Sequence, residues 1–190
     1  MRQYCSVCQY PLTTCVCSVI RRVKSPVSIS IIQHPKEVMH AKNTARLITL
    51  CLENTSVVVS SNNDQMTSLK RRCETLPTAL LYPCSHSHSW EQTTASGPPL
   101  SHLVVLDGSW RQAFGLWQQH AWLQTLPAYH FSSAPSSDYA IRHTGNRHHV
   151  STLEAVAYAL SSRFQTDVSP LYRLQARMQE FWQGPPEHRR

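Results

Sequence analysis

The sequence predicts an α/β fold, and three observations carry that prediction. Short apolar runs of strand length alternate with segments whose apolar residues recur at three-and-four spacing. The run Leu103-Val104-Val105-Leu106 ends on Asp107 and Gly108, then gives way to helical spacing at Trp110, Ala113, Phe114 and Trp117. At 190 residues the chain can also bury a sizeable core, as one domain with a small appendage. Alternating β and α units imply a mainly parallel sheet with helices packed on it.

The elements follow in order. Four of the seven cysteines crowd the first seventeen residues as Cys5-x-x-Cys8 and Cys15-x-Cys17. An odd total, with no apolar signal core in Met1-Arg2-Gln3-Tyr4-Cys5, argues against a disulfide framework. Two short-spaced pairs separated by a turn at Pro11 can gather four thiolates around one ion. Four sulfurs suit tetrahedral zinc in a closed, structural site. Spacing alone leaves a thiol–disulfide pair and iron ligation open. Next, Val27-Ser28-Ile29-Ser30-Ile31-Ile32 reads as a strand with one more polar face. After a turn at His34-Pro35, Val38, Ala41, Ala45, Ile48 and Leu52 fall on one face of a helix. Val57-Val58-Val59 and Ala79-Leu80-Leu81-Tyr82 read as short buried strands, the second ended by Pro83. Ser60 to Pro77 reads as a polar stretch carrying Lys70-Arg71-Arg72, and Cys84 to His102 as a mobile surface loop, an RNA-facing flap. A weak strand is expected around Tyr139-Ala140-Ile141-Arg142. Two helices close the pattern, one burying Leu153, Val156, Leu160 and Phe164, the other Leu171, Leu174, Met178 and Phe181.

Charge and motifs point toward a function. Net charge is +7, with eleven histidines as a reserve of positive charge below neutrality, which suits a polyanionic partner such as RNA or DNA. No stretch approaches the roughly 18 apolar residues of a membrane span, so a soluble, cytoplasmic protein is expected. The segment Asp107-Gly108-Ser109-Trp110 places an acid where a strand ends, glycine in the turn and a hydroxyl at a helix start. Strand C-termini in open α/β sheets are where ligands usually bind, and helix N-termini attract anions. Asp and Ser before a helix are also ordinary capping residues. Ser151-x-x-Glu154 is likewise a capping box, whose helix start can hold a carboxylate. Just upstream, Arg142, His143, Arg147, His148 and His149 are the densest basic cluster, either a solvated loop or a phosphate contact.

Together these residues resemble the DTW-domain family, the tRNA-uridine aminocarboxypropyltransferases, over essentially the whole length. Cys5-x-x-Cys8 with Cys15-x-Cys17 resembles its N-terminal cysteine knuckle. His34-Pro35-Lys36-Glu37 with Asn43-Thr44-Ala45-Arg46-Leu47, then Leu80-Leu81-Tyr82-Pro83, are similar to its next blocks. Leu106-Asp107-Gly108-Ser109-Trp110-Arg111-Gln112-Ala113 resembles the segment that names the family, with Ser109 where the name expects threonine. Tyr139-x-x-Arg142 and Ser151-Thr152-Leu153-Glu154-Ala155 resemble its closing blocks.

The resemblance implies a SPOUT-like domain over residues 25–190, a mainly parallel sheet with helices on both faces and a C-terminal knot. Residues 1–24 would be a zinc-binding segment held by Cys5, Cys8, Cys15 and Cys17. It implies transfer of the 3-amino-3-carboxypropyl group of S-adenosylmethionine to N3 of a tRNA uridine, with 5′-methylthioadenosine released. The variable loop is the first expected target and the D-loop the second. Asp107 is the candidate general base, its alternatives being to orient the uracil or to pair with the amino group of S-adenosylmethionine. Leu106, Gly108, Ser109, Trp110, Ser151, Thr152 and Glu154 are candidate contacts to S-adenosylmethionine, although an aromatic such as Trp110 on a helix's apolar side is usually core. Arg111, Arg142 and Arg147 are candidate phosphate contacts, and Lys42 and Arg46, on one helix, extend that track or form a solvated face. A SPOUT-type RNA methyltransferase and a non-catalytic zinc-bearing RNA-binding protein are the rival readings. Oligomeric state stays open, with a monomer favoured.

Overall fold

The computed structural model describes residues 3–93, 99–141 and 150–182. Its strands are β1 (Ser28–Gln33), β2 (Thr55–Val59), β3 (Thr78–Leu81), β4 (His88–Ser89), β5 (His102–Asp107) and β6 (Ala128–His130). Its helices are α1 (Ala45–Cys51), α2 (Asn63–Thr75), α3 (Trp110–Gln119), α4 (Thr152–Phe164) and α5 (Ser169–Glu180). The strands form one sheet in the order β2-β1-β5-β3-β6-β4, with every pairing parallel.

Alternation along the strands sorts side chains between two cores. Ile29, Ile31, Ala79, Leu81, Leu103 and Val105 pack against α1, α4 and α5. Ile32, Val58, Leu80, Val104 and Leu106 pack against Met66, Leu69 and Cys73 of α2 and Ala113 and Leu116 of α3. Helices therefore cover both faces, as expected. Burial on both sides is what a parallel sheet needs. The cysteine segment is not a loose appendage, because Cys8, Tyr10 and Val16 are buried in the first of these cores.

Several elements differ from the sequence reading, each for a physical reason. The helix expected from Val38 to Leu52 is only α1. Residues 35–37 form a 3-10 turn, started by the His34 side chain accepting from the Lys36 N–H, and Met39 is 88% exposed. The polar stretch Ser60–Pro77 contains α2, whose Asn62 cap accepts from the Gln65 N–H and whose apolar face is only Met66, Leu69 and Cys73. The Cys84–His102 segment is not a free loop where it is described. It holds β4 and the buried Trp90, whose Nε1 donates to Ser162 Oγ at 3.1 Å. Tyr139 to Ile141 form no strand, although Tyr139 and Ile141 are buried. Phe164 and Phe181 are only partly buried against the core.

Strand β6 was hidden between its neighbours. Leu81 and His88 both register with Tyr129, from opposite sides. Residues 82–87 therefore arch from one side of β6 to the other. The Tyr82 N–H donates to Tyr129 O at 2.9 Å on one side, and the Trp90 N–H to His130 O at 2.8 Å on the other.

Candidate functional site

The central strand β5 runs in step with β1 to the end of both, which sets Gln33 opposite Asp107. Asp107 is 2% exposed, and a carboxylate so placed needs partners. Its Oδ2 accepts from Gln33 Nε2 at 2.9 Å and from Asn43 Nδ2 at 2.7 Å. Its Oδ1 accepts from Thr152 Oγ1 at 2.6 Å. Gln33 and Asn43 are themselves locked, since Asn43 Oδ1 accepts from Gln33 Nε2 and from the Ala45 N–H. The carboxylate thus ties β1, the start of α1 and the start of α4 together. Among the described residues three of its roughly four lone-pair positions are occupied, and one on Oδ1 is left.

Above it lies a cavity of ≈ 590 Å³ at the carboxyl ends of β3, β5 and β6. It is lined by Leu81 to Pro83, Leu106 to Arg111, Tyr129 to Phe131 and Val150 to Thr152, with Lys42, Thr44 and Tyr139. The predicted residues Leu106, Asp107, Gly108, Ser109, Trp110, Arg111, Ser151, Thr152 and Lys42 are therefore brought to one crevice.

Both helix starts at this crevice are capping boxes. Ser109 Oγ accepts from the Gln112 N–H at 3.4 Å, while Gln112 Oε1 accepts from the Ser109 N–H at 2.6 Å. Ser151 Oγ accepts from the Glu154 N–H at 3.2 Å, while Glu154 Oε2 accepts from the Ser151 N–H at 2.6 Å. The Leu153 N–H donates to Thr44 Oγ1. Among the described residues this leaves the Thr152 and Arg111 backbone N–H groups without a partner. Gly108 sits in the turn, where a Cβ would stand 2.9 Å from Gln112 Cβ.

Other predicted residues are placed differently. Glu154 does not line the cavity. It is 5% exposed, and besides the cap it accepts from Ser137 Oγ and the Asp138 N–H, both at 2.8 Å, which pins the cavity wall. Trp110 is not core. It is 49% exposed at the cavity mouth, and α3 buries Ala113 and Leu116 instead. Lys42 precedes α1 rather than lying on it; its Nζ donates to Ile141 O at 2.5 Å and stands 3.9 Å over the Trp182 ring. Arg46 turns away from the crevice, donating to Gln9 O and lying 5.0 Å from the Tyr10 ring centre, so it braces the cysteine segment. Arg142 and Arg147, with His143, His148 and His149, fall outside the described residues.

Gln33 went unread in the sequence because it continues an apolar strand. The signal was a polar residue at the buried end of a strand whose neighbour ends on an acid. Glu91 was missed too. It accepts from the Ser132 and Ser133 N–H groups and from Ser89 Oγ, all at 3.0 Å, fixing the loop beside Phe131. Burial pushes its carboxyl up, but these donors outweigh that and hold it below the ordinary carboxylate range.

The four N-terminal sulfurs lie within 4.8 Å of one another, with Cys5 to Cys17 at 3.5 Å and Cys8 to Cys15 at 3.7 Å. None of the cysteines is in a disulfide. A tetrahedral ion with bonds of about 2.3 Å sets its sulfurs roughly 3.8 Å apart, so the cage fits one. Backbone N–H groups of Cys8 and Val7 hold the Cys5 thiol down to about 6, while desolvation and the neighbouring sulfurs push Cys17 up to about 12. A divalent cation relieves that conflict.

The DTW-domain profile matches residues 2–183. The chain belongs to the DTW-domain family. This DTW protein is 33% identical over 186 residues to tRNA-uridine aminocarboxypropyltransferase 2 of Drosophila melanogaster, covering 91% of this chain and 74% of the fly protein. Its match to the Macaca fascicularis protein of the same name is 28% identical and covers 84% of this chain and 56% of that one. An Arabidopsis thaliana tRNA-uridine aminocarboxypropyltransferase A is 28% identical over 59% of this chain and 49% of its own length. This DTW chain thus spans little more than half of the macaque protein. No solved structure matches it. No helix among the described residues is long and apolar enough to cross a membrane.

Proposed function

We propose that this DTW protein is a tRNA-uridine aminocarboxypropyltransferase acting in the cytoplasm. The observation that carries the reading is a buried carboxylate, Asp107, at the end of the central strand, lining a cavity flanked by two capped helix starts. The names of the relatives supply the substrate class. A cavity of ≈ 590 Å³ lies within the ordinary range of about 300–1,000 Å³ for small-molecule sites.

S-adenosylmethionine, when bound, supplies a sulfonium-activated γ-carbon in the group to be transferred. The Thr152 and Arg111 backbone N–H groups, with the Ser109 and Ser151 hydroxyls, would hold its carboxylate. The Trp110 ring, at the mouth, would face its cationic sulfur. Asp107 accepts the N3 proton of the uridine through the remaining lone pair of Oδ1, since N3 is a poor nucleophile while protonated. Removal of that proton would free N3 to take the γ-carbon, with the carbon–sulfur bond pair leaving on 5′-methylthioadenosine. In-line alignment of that carbon, and not of the methyl group, separates this reaction from methylation.

Arg111, Arg142 and Arg147 would meet tRNA phosphates. Residues 1–24 would form the zinc-binding segment and 25–190 the catalytic domain. The arch of residues 82–87 across β6 supports a SPOUT-like knot, in which the chain leaving β6 is threaded through it. The protein would work as a monomer.

Mass spectrometry on a reaction of the protein, S-adenosylmethionine and unmodified tRNA tests the reading. Aminocarboxypropyl-uridine with methylthioadenosine supports it, and fragment mapping then locates the uridine, with the variable loop expected first. Methylated nucleoside with S-adenosylhomocysteine would mean the wrong carbon. Neither product, on tRNA that binds, would leave a zinc-bearing RNA-binding protein.

A further inference from the structure

We propose that the exposed Phe114 ring on α3 is a stacking ledge for an unpaired base of the RNA loop that presents the target uridine, set just outside the Trp110 ring. The inference rests on the tRNA reading above and assigns how the loop is gripped. Trp110 and Phe114 stand four residues apart, on one helix face, and are 49% and 52% exposed. Side chains of this kind are normally interior, and α3 already has its apolar contacts through Ala113 and Leu116.

The rings continue inward. Phe114 and Trp117 have centroids 6.2 Å apart at a tilt of 34°, and Trp117 and Tyr82 follow at 6.0 Å and 33°. Tyr82 lines the cavity. A tier of shallowly tilted planes thus leads from solvent to the crevice that holds Asp107. Beside Phe114, Gly115 leaves open space among the described residues where a Cβ would stand, and a glycine inside a helix costs stability through its backbone freedom.

Charge and size favour nucleotides over a protein. α3 contains no acidic residue, and the exposed Arg111 beside Trp110 offers a cation to an adjoining phosphate. The chain's net charge is +7. A stable protein interface needs about 800 Å² per partner, far beyond two half-exposed rings flanked by Arg111, Gln118 and Gln119. Loop bases that leave their stack are held by such rings.

The test is equilibrium binding of an unmodified tRNA transcript, by fluorescence anisotropy, to the wild type and to F114A, F114L and F114W. Loss of one stacked base weakens binding about tenfold or more, so F114A and F114L should both fall that far, with F114W near wild type. The salt dependence should keep its slope, because no phosphate contact is lost. Affinity for S-adenosylmethionine, by calorimetry, should not move. Wild-type affinity in F114A or F114L overturns the ledge even if the protein makes aminocarboxypropyl-uridine. A wild-type protein that binds no tRNA overturns the underlying reading instead. A changed oligomeric state of F114A on size exclusion would make the face a contact between copies and overturn the ledge as well.

Discussion

Asparagine at Asp107 keeps the shape of the side chain but removes its negative charge and its capacity to take a proton. The amide oxygen can still accept from Gln33 Nε2 and Asn43 Nδ2, the two donors now on Oδ2. The amide nitrogen falls where Oδ1 now receives Thr152 Oγ1, and that hydroxyl can turn to accept instead. All three contacts persist, but each loses its charge, which weakens a bond by about 1 kcal/mol; relief from burying an ion offsets part of that. A net stability loss of about 1–3 kcal/mol is expected, small enough to leave a folded protein. Turnover should drop far more, by roughly 10²–10⁴-fold, the ordinary contribution of a positioned base. The assay pairs single-turnover formation of aminocarboxypropyl-uridine with calorimetric affinity for S-adenosylmethionine. Turnover falling only in proportion to that affinity, or staying within a few-fold of wild type, would refute the role of base and leave Asp107 as a brace. Alanine is the less informative change, since it strands three donors at about 1–3 kcal/mol each.

Other consequences can be checked on stability alone. Chelation should release one zinc ion per chain, make four further thiols reactive and lower Tm; a chain purified without metal, and indifferent to chelator, would sink the cage. G108A should lower the urea-derived stability by about 1–2 kcal/mol, because the new Cβ meets Gln112 Cβ at 2.9 Å and breaks the cap on Ser109. His102 is fully buried between Ser30 Oγ at 2.9 Å and Thr78 Oγ1 at 3.2 Å, and burial lowers its pKa from 6.5 to about 4. Between those values the unfolded chain binds the extra proton. The stabilisation is therefore present above about pH 6.5 and fades by about 3 kcal/mol as pH falls to about 4. Urea titrations at both pH values should show H102Q lacking that part of the loss.

The sheet was legible because its apolar runs are long and bounded. Leu103 to Leu106 alternate between two cores, so the whole run must be apolar, and Asp107 marks its end. What escaped were elements whose stability is tertiary. α2 shows three apolar residues in thirteen and is held by a cap and by the sheet beneath it. β4 and β6 are two and three residues long and leave no period to read. At the site, Asp107 and the two serine caps were visible as motifs. The contacts made by Gln33 and Thr44 were not, because they form through strand register and helix docking, which no local pattern encodes. Glu154 misled for the opposite reason, since one carboxylate serves both the cap and the 137–138 wall.

The arch over β6 also constrains the order of assembly. β4 registers only with β6 among the described strands, although β6 follows it by about forty residues of chain. While the protein is being synthesised, the segment after β3 has no strand to join until residue 130 has emerged. Trp90 cannot reach its edge-on contact with Tyr129, 5.5 Å between ring centres, any sooner. The edge of the sheet that walls the cavity is thus completed late, and a chain stopped before β6 would expose Trp90 and the open side of β3 to other unfinished chains.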